Sequence, residues 1–113
     1  GRLPGVTHEE RLQRALLDAI GTGDTQAVRN LVSQGANLKA RDEWQRTPLI
    51  HAALYGINGA EIVKTLVELG ADVNAQNNNG MTALMEALHR NDTAMVRALV
   101  ACGADPTIRN RHG

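Results

Sequence analysis

The sequence contains no phenylalanine, and its only aromatic residues are Trp44 and Tyr55. Ala, Leu and Val must therefore supply the core, and small apolar side chains suit closely packed short helices better than a wide sheet sandwich. A single cysteine, Cys102, excludes an internal disulfide, which is compatible with a reducing compartment, cytoplasmic or nuclear. No apolar run approaches the length of a membrane span, and Gly1–Gly5 is not a signal peptide. Charge of one sign is lacking too: 12 Lys and Arg balance 12 Asp and Glu. That balance gives no general reason to bind nucleic acid or an anionic membrane.

Groupings that carry chemistry are equally scarce. His8, His51, His89 and His112 form no metal-ligand spacing with one another or with Cys102. Gly21-Thr22-Gly23 is too short for a phosphate loop and lacks its lysine and preceding strand. Cys102 has no evident base partner and reads as a half-buried structural residue. No cofactor, metal or catalytic activity is expected.

What the sequence does have is a repeat. Gly35-Ala36-Asn37-Leu38 returns as Gly70-Ala71-Asp72-Val73 and again as Gly103-Ala104-Asp105-Pro106, at spacings of 35 and 33 residues. An apolar helical pattern precedes each glycine: Val28, Leu31 and Val32; Ile62, Val63, Leu66 and Val67; Met95, Val96, Leu99 and Val100. Such spacing marks one buried helix face, and the glycine supplies the left-handed residue that stops the helix.

A second helix precedes each of these. Thr47-Pro48 and Thr82-Ala83 open two of them, with Thr as N-cap; Thr7 with Glu10 forms a capping box for the first. Their expected buried residues are Leu12, Leu16 and Ala19; Leu49, Ala52 and Ala53; and Leu84, Ala87 and Leu88. Gly23-Asp24, Asn58-Gly59 and Asn91-Asp92 mark tight links within each pair. Polar stretches 40–46 and 75–81, the latter with Asn79-Gly80, join one pair to the next as short projecting hairpins. The expectation is an all-α solenoid of three helix pairs with almost no strand.

These residues resemble the ankyrin repeat. The family pattern of Asp, a turn, Thr-Pro-Leu-His, Ala-Ala, Gly and later Gly-Ala-Asp-Val-Asn is similar to Asp42 through Thr47-Pro48-Leu49, Ala52-Ala53, Gly56, Ile62-Val63 and Gly70-Ala71-Asp72-Val73-Asn74. It recurs from Asn77-Asn78-Asn79-Gly80-Met81-Thr82-Ala83-Leu84 to Gly103-Ala104-Asp105, so the likeness covers about residues 16–113. The departures are informative. Gln45 replaces the turn glycine, which suggests a strained hairpin. Ile50 and Met85 replace the histidine, so its usual bonds are not expected. Two extra residues around Ile57–Ala60 should bulge from a link without breaking the stack.

Read in this frame, residues 1–6 are a flexible leading segment or an expression remnant, and 7–113 form the repeat domain. Within it, 7–39 is an N-terminal cap repeat, 40–74 the repeat with the insertion, 75–107 a further repeat, and 108–113 the start of a truncated one. Met95, Val96, Leu99 and Val100 look like an interior unit. That implies a truncated fragment, or an end that docks on another chain with self-association as one outcome; the alternative is that one apolar side chain stays half exposed.

The resemblance implies a protein or peptide partner bound on the concave face of hairpins and first helices. The positions left free by the framework are Arg41, Glu43, Trp44, Arg46, Leu54 and Tyr55, and then Gln76, Asn78, Asn79, Met81, His89 and Arg90. Both aromatics fall in this set, and Trp, Tyr and Arg are enriched at binding hot spots. Trp44 has a second reading, in which its ring covers the stem of Arg46. Asp18, His51 and Glu86 share one repeat position, so stacking could align them in a polar row; equivalent positions about 10 Å apart would instead leave each partly solvated. The basic residues Arg109, Arg111 and His112 are too few, and lack the interleaved aromatics, to argue nucleic-acid binding. Two roles remain: an interaction module in its own right, or the regulatory or targeting domain of a larger enzyme, channel or effector.

Overall fold

In the computed structural model, which describes residues 7–111, six helices follow in order. They are α1 (His8–Thr22), α2 (Thr25–Ser33), α3 (Pro48–Tyr55), α4 (Gly59–Glu68), α5 (Ala83–His89) and α6 (Thr93–Ala101). There is no strand among the described residues. The expectations for residues 1–6, and for His112 in the basic tail, lie outside the described residues.

Five of the six starts are set by one side chain each. The hydroxyls of Thr7, Thr47 and Thr82 accept from the N–H groups of Glu10, Ile50 and Met85 at 3.1, 3.3 and 3.2 Å, opening α1, α3 and α5. Asp24 and Asp92 cap α2 and α6 in the same way, accepting from Ala27 and Met95 at 3.0 and 3.1 Å. Such a cap contributes about 1 kcal/mol. In the repeat frame the third of these acidic positions is Gly59, and α4 has no side-chain cap. A Cβ there would meet Met95 Cε at 2.6 Å and the Ala52 carbonyl oxygen at 3.0 Å. Close packing of α3, α4 and α6 takes the room that a capping side chain would need.

The links reverse on one left-handed residue each: Gly23 (φ 76°), Asn58 (φ 57°) and Asn91 (φ 57°). The two extra residues fall at Gly56–Ile57, the leading edge of the expected bulge. Ile57 is exposed there, and α4 begins at Gly59, one residue ahead of the position that Thr25 and Thr93 hold in α2 and α6. The second helices all end alike: the N–H groups of Ala36, Ala71 and Ala104 reach back to the carbonyls of Leu31, Leu66 and Leu99 at 3.0, 2.9 and 3.0 Å. That closure needs the left-handed glycine between.

The helices form two layers, with α1, α3 and α5 side by side in one and α2, α4 and α6 in the other. The result is an elongated body of 51 × 29 × 21 Å. A single apolar seam runs between the layers, and Leu16, Ile20, Val28, Leu49, Ile50, Ile62, Leu66 and Leu99 lie wholly within it. Met95 and Leu99 are buried. Leu88 and Val100, expected on buried faces, are instead exposed at 56% and 57%. The repeat counterpart of Leu88 is Ala53, which is buried on α3. Helix α3 has a further first helix, α5, packed beside it; α5 has none among the described residues.

Candidate functional site

The two hairpins are built to one plan. In the first, the Asp42 carboxylate oxygen Oδ1 accepts from the N–H groups of Trp44 and Arg46 at 2.9 and 2.8 Å, while Asp42 N–H donates to the Arg46 carbonyl. In the second, Asn77 Oδ1 accepts from Asn79 and Met81 at 2.8 and 3.0 Å, and Asn77 N–H donates to the Met81 carbonyl. Asp and Asn both fold a turn onto their own side chain, which is why either residue serves. Gln45 does adopt the left-handed conformation (φ 62°) that Gly80 takes at the equivalent point (φ 75°), so the expected strain is present.

Adjacent hairpins are then tied together. Asn78 N–H donates to the Trp44 carbonyl and Arg111 N–H to the Asn79 carbonyl, both at 3.0 Å. Arg41 Nη1 donates to the carbonyls of Gln45 and Gln76 at 2.8 and 2.7 Å. Gln76 repeats this one unit later, donating through Nε2 to the carbonyls of Gly80 and Arg109 at 2.8 and 3.0 Å. Arg41 and Gln76, taken from the sequence as free positions, thus also stitch the ridge of hairpins.

Arg46 is the hub of the face. Its Nε donates to Asp42 Oδ2 at 2.7 Å and its Nη1 to the Tyr55 hydroxyl at 2.6 Å. The guanidinium carbon lies 4.6 Å from the Trp44 ring centre and 5.3 Å from that of Tyr55. Tyr55 sits at the far end of α3, yet helical side chains lean back toward the N-terminus, which brings its ring over the arginine. His51, one turn earlier, places Nε2 2.9 Å from Asp42 Oδ2 and its ring 5.8 Å from Tyr55. Burial works to raise the Asp42 pKa, but the backbone and side-chain N–H groups of Arg46, the Trp44 N–H and His51 outweigh it and hold the carboxyl at about 2. The Arg46 pKa, which burial alone would lower, is raised by its bonds to Asp42 and Tyr55.

Trp44 therefore packs on Arg46, as its second reading held, and yet keeps 49% of its surface exposed; Tyr55 keeps 60%. Glu43, Asn78, Asn79, His89 and Arg90 are exposed, and Arg90 Nη1 donates to the Leu54 carbonyl at 2.8 Å. Leu54 and Met81 are half-buried. The polar row of Asp18, His51 and Glu86 is not what forms. The carboxylate that meets His51 is Asp42 on the hairpin, because a hydrogen bond within the repeat is shorter than a bridge between repeats. His51 also supplies a tie from first helix to hairpin, one residue after the buried Ile50. Sequence reasoning left Asp42 and His51 out of the face; their spacing from Arg46 and Tyr55, four residues in each case, was the available signal.

Cys102 is half-buried as expected, and burial pushes its thiol pKa up, away from the thiolate form a nucleophile needs. Among the described residues no cluster of three or more His, Cys, Asp or Glu could hold a metal ion. No helix among the described residues is long and apolar enough to cross a membrane.

Comparison with known proteins agrees with this architecture: a family model of ankyrin repeats in three copies matches residues 16–110. The chain belongs to the ankyrin-repeat family. It is 41% identical over 99 residues to the B-cell lymphoma 3 protein homolog of Mus musculus, covering 87% of this chain and 22% of that protein. It is 32% identical over 110 residues to the putative E3 ubiquitin-protein ligase XBAT34 of Arabidopsis thaliana, covering 92% of this chain and 28% of the relative. With the ankyrin repeat and SAM domain-containing protein 6 of Rattus norvegicus it shares 33% identity over 109 residues, 95% of this chain but 12% of that protein. The chain thus spans well under a third of these relatives. Ankyrin repeats are in general protein-interaction modules, and where relatives are enzymes the repeats stand as a separate domain.

Proposed function

We propose that this ankyrin domain binds a protein or peptide partner on the face made by its hairpin ridge and first helices, with Trp44 and Tyr55 as anchors. The observation that carries the reading is the placement of Arg46 between two half-exposed aromatic rings, locked by Asp42. Rings fixed in this way lose little freedom on binding, and rigid amphipathic aromatics contribute most of the energy of many interfaces. The remaining contact positions are Arg41, Glu43, Arg46 and Leu54 in the first unit, and Gln76, Asn78, Asn79, Met81, His89 and Arg90 in the second. The hydrogen-bonded ridge supports binding with little change of shape.

A second reading, the regulatory or targeting domain of a larger protein, is favoured by the small fraction of each relative that this chain covers. The two readings are compatible, since a targeting domain acts through the same face. Affinity purification with mass spectrometry, run in parallel on the wild type and on Trp44→Ala, tests the interaction reading. Partners captured by the wild type and lost from an equally stable variant support it. Capture that is indifferent to Trp44→Ala, Tyr55→Ala and Arg90→Ala rejects this face.

A further inference from the structure

Between α1 and the first hairpin lies a recess with an apolar floor of Leu17, Ala40 and Pro48. Arg41, Asp42, Arg46, His51 and Gln13 surround it, Gln13 already paired with the Asn37 backbone. The Asp42 charge is already engaged by Arg46 and His51 at 2.7 and 2.9 Å. Arg41 differs: it donates to two backbone carbonyls and takes part in none of the ion pairs among the described residues. An apolar floor thus has an uncompensated guanidinium at its rim. Asp18 and Glu43, the neighbouring acidic residues in the chain, are exposed and line no part of it. No buried side-chain polar atom among the described residues lacks a hydrogen bond, so the floor asks for apolar contact from an occupant, while the exposed Arg41 at the rim is open to a charged one.

We propose that this recess seats an aliphatic side chain (Leu, Ile or Val) of the partner, with an Asp or Glu beside it in the partner's sequence facing Arg41. The assignment rests on the interaction reading above and names the chemistry of the partner. Burying the aliphatic group supplies affinity in proportion to the apolar area covered. The carboxylate supplies orientation and a preference for acidic segments, because a basic residue in its place would face Arg41 across the rim.

The test uses a random peptide library displayed on phage and selected on the 113-residue chain, followed by titration of synthetic copies of the enriched peptides. The expected enrichment is an aliphatic residue next to Asp or Glu. Affinity should fall about tenfold or more for Leu17→Lys, which places a charge in the floor. It should fall about fivefold for Arg41→Gln, with that loss vanishing near 1 M salt. Arg41→Gln keeps the fold, because Gln76 already makes the same pair of carbonyl bonds one repeat later. Enriched peptides without the aliphatic–acidic pair, or no enrichment at all, overturn the proposal. So do peptides that respond to neither substitution while both variants keep the wild-type melting temperature. Peptides that weaken with Trp44→Ala but with neither recess variant overturn the recess and leave the broader face standing. Peptides indifferent to all three overturn both.

Discussion

The carboxylate of Asp42 lies 2.7 Å from Nε of Arg46, and the same oxygen lies 2.9 Å from Nε2 of His51. One acidic side chain therefore closes the first hairpin, fixes the arginine that both aromatics cover, and ties the hairpin to α3. Its low pKa makes a stability statement. A carboxyl held at about 2 in the folded chain against 3.8 unfolded contributes stability that is fully present above pH 4. That contribution disappears as pH falls from about 4 to 2, and after solvent screening it amounts to about 1–2 kcal/mol. Asp42→Asn should keep the turn, since Asn77 folds the second hairpin, but lose the charge. Urea unfolding from pH 7 down to pH 2 should show the variant less stable by about 1–2 kcal/mol at pH 7 and flatter below pH 4. Parallel curves for the two proteins would refute the assignment.

Trp44→Ala separates binding from folding. The ring is half exposed, and its stacking on Arg46 contributes about 0.5–1 kcal/mol at such a site. Thermal unfolding should therefore shift by only a few degrees, while partner affinity drops at least tenfold, the usual cost of losing a central aromatic anchor. A stability loss beyond about 2 kcal/mol would assign Trp44 to packing alone.

Gln45→Gly should stabilise the protein. A non-glycine residue at φ 62° carries about 1–2 kcal/mol of backbone strain, and glycine relieves it at a cost of up to about 1 kcal/mol in unfolded-chain entropy. The net gain expected is up to about 1 kcal/mol, read as a higher urea midpoint with unchanged slope. A loss would mean that the Gln45 side chain makes a contact worth more than the strain.

Gly23→Ala should do the opposite. Gly23 holds φ 76°, and a Cβ there would sit 2.6 Å from the Ile57 carbonyl oxygen and 2.9 Å from Asn58 Cβ. Backbone cannot yield as a flexible side chain can, so strain and clash together should cost about 2 kcal/mol or more. A variant as stable as the wild type would show that the link between α3 and α4 is free to move away.

The repeat was legible because its signals are local. Thr7, Thr47 and Thr82 cap the first helices from the position just before each, and Gly35, Gly70 and Gly103 stop the second helices just past their C-caps. Their common phase at spacings of 35 and 33 residues fixed the number of helix pairs before any packing was known. The ridge positions were read from that frame, and Glu43, Trp44 and Tyr55 among them are exposed.

The identity of each position's neighbour was not legible in the same way. Asp18, His51 and Glu86 share a repeat position, but His51 turned to Asp42, a choice decided by how the hairpin folds over α3. Leu88 carries the pattern of a buried residue, but its burial depends on what lies beside α5. Arg41 and Arg46 looked equivalent as ridge arginines; one is spent on carbonyls and the other on a carboxylate and two rings. Sequence by itself determined the helices, their order and the face they share, since capping and periodicity act within a few residues. Tertiary structure decided which charges are neutralised and which recess stays open, because Leu17 and Arg41 come together only when α1 and the hairpin pack.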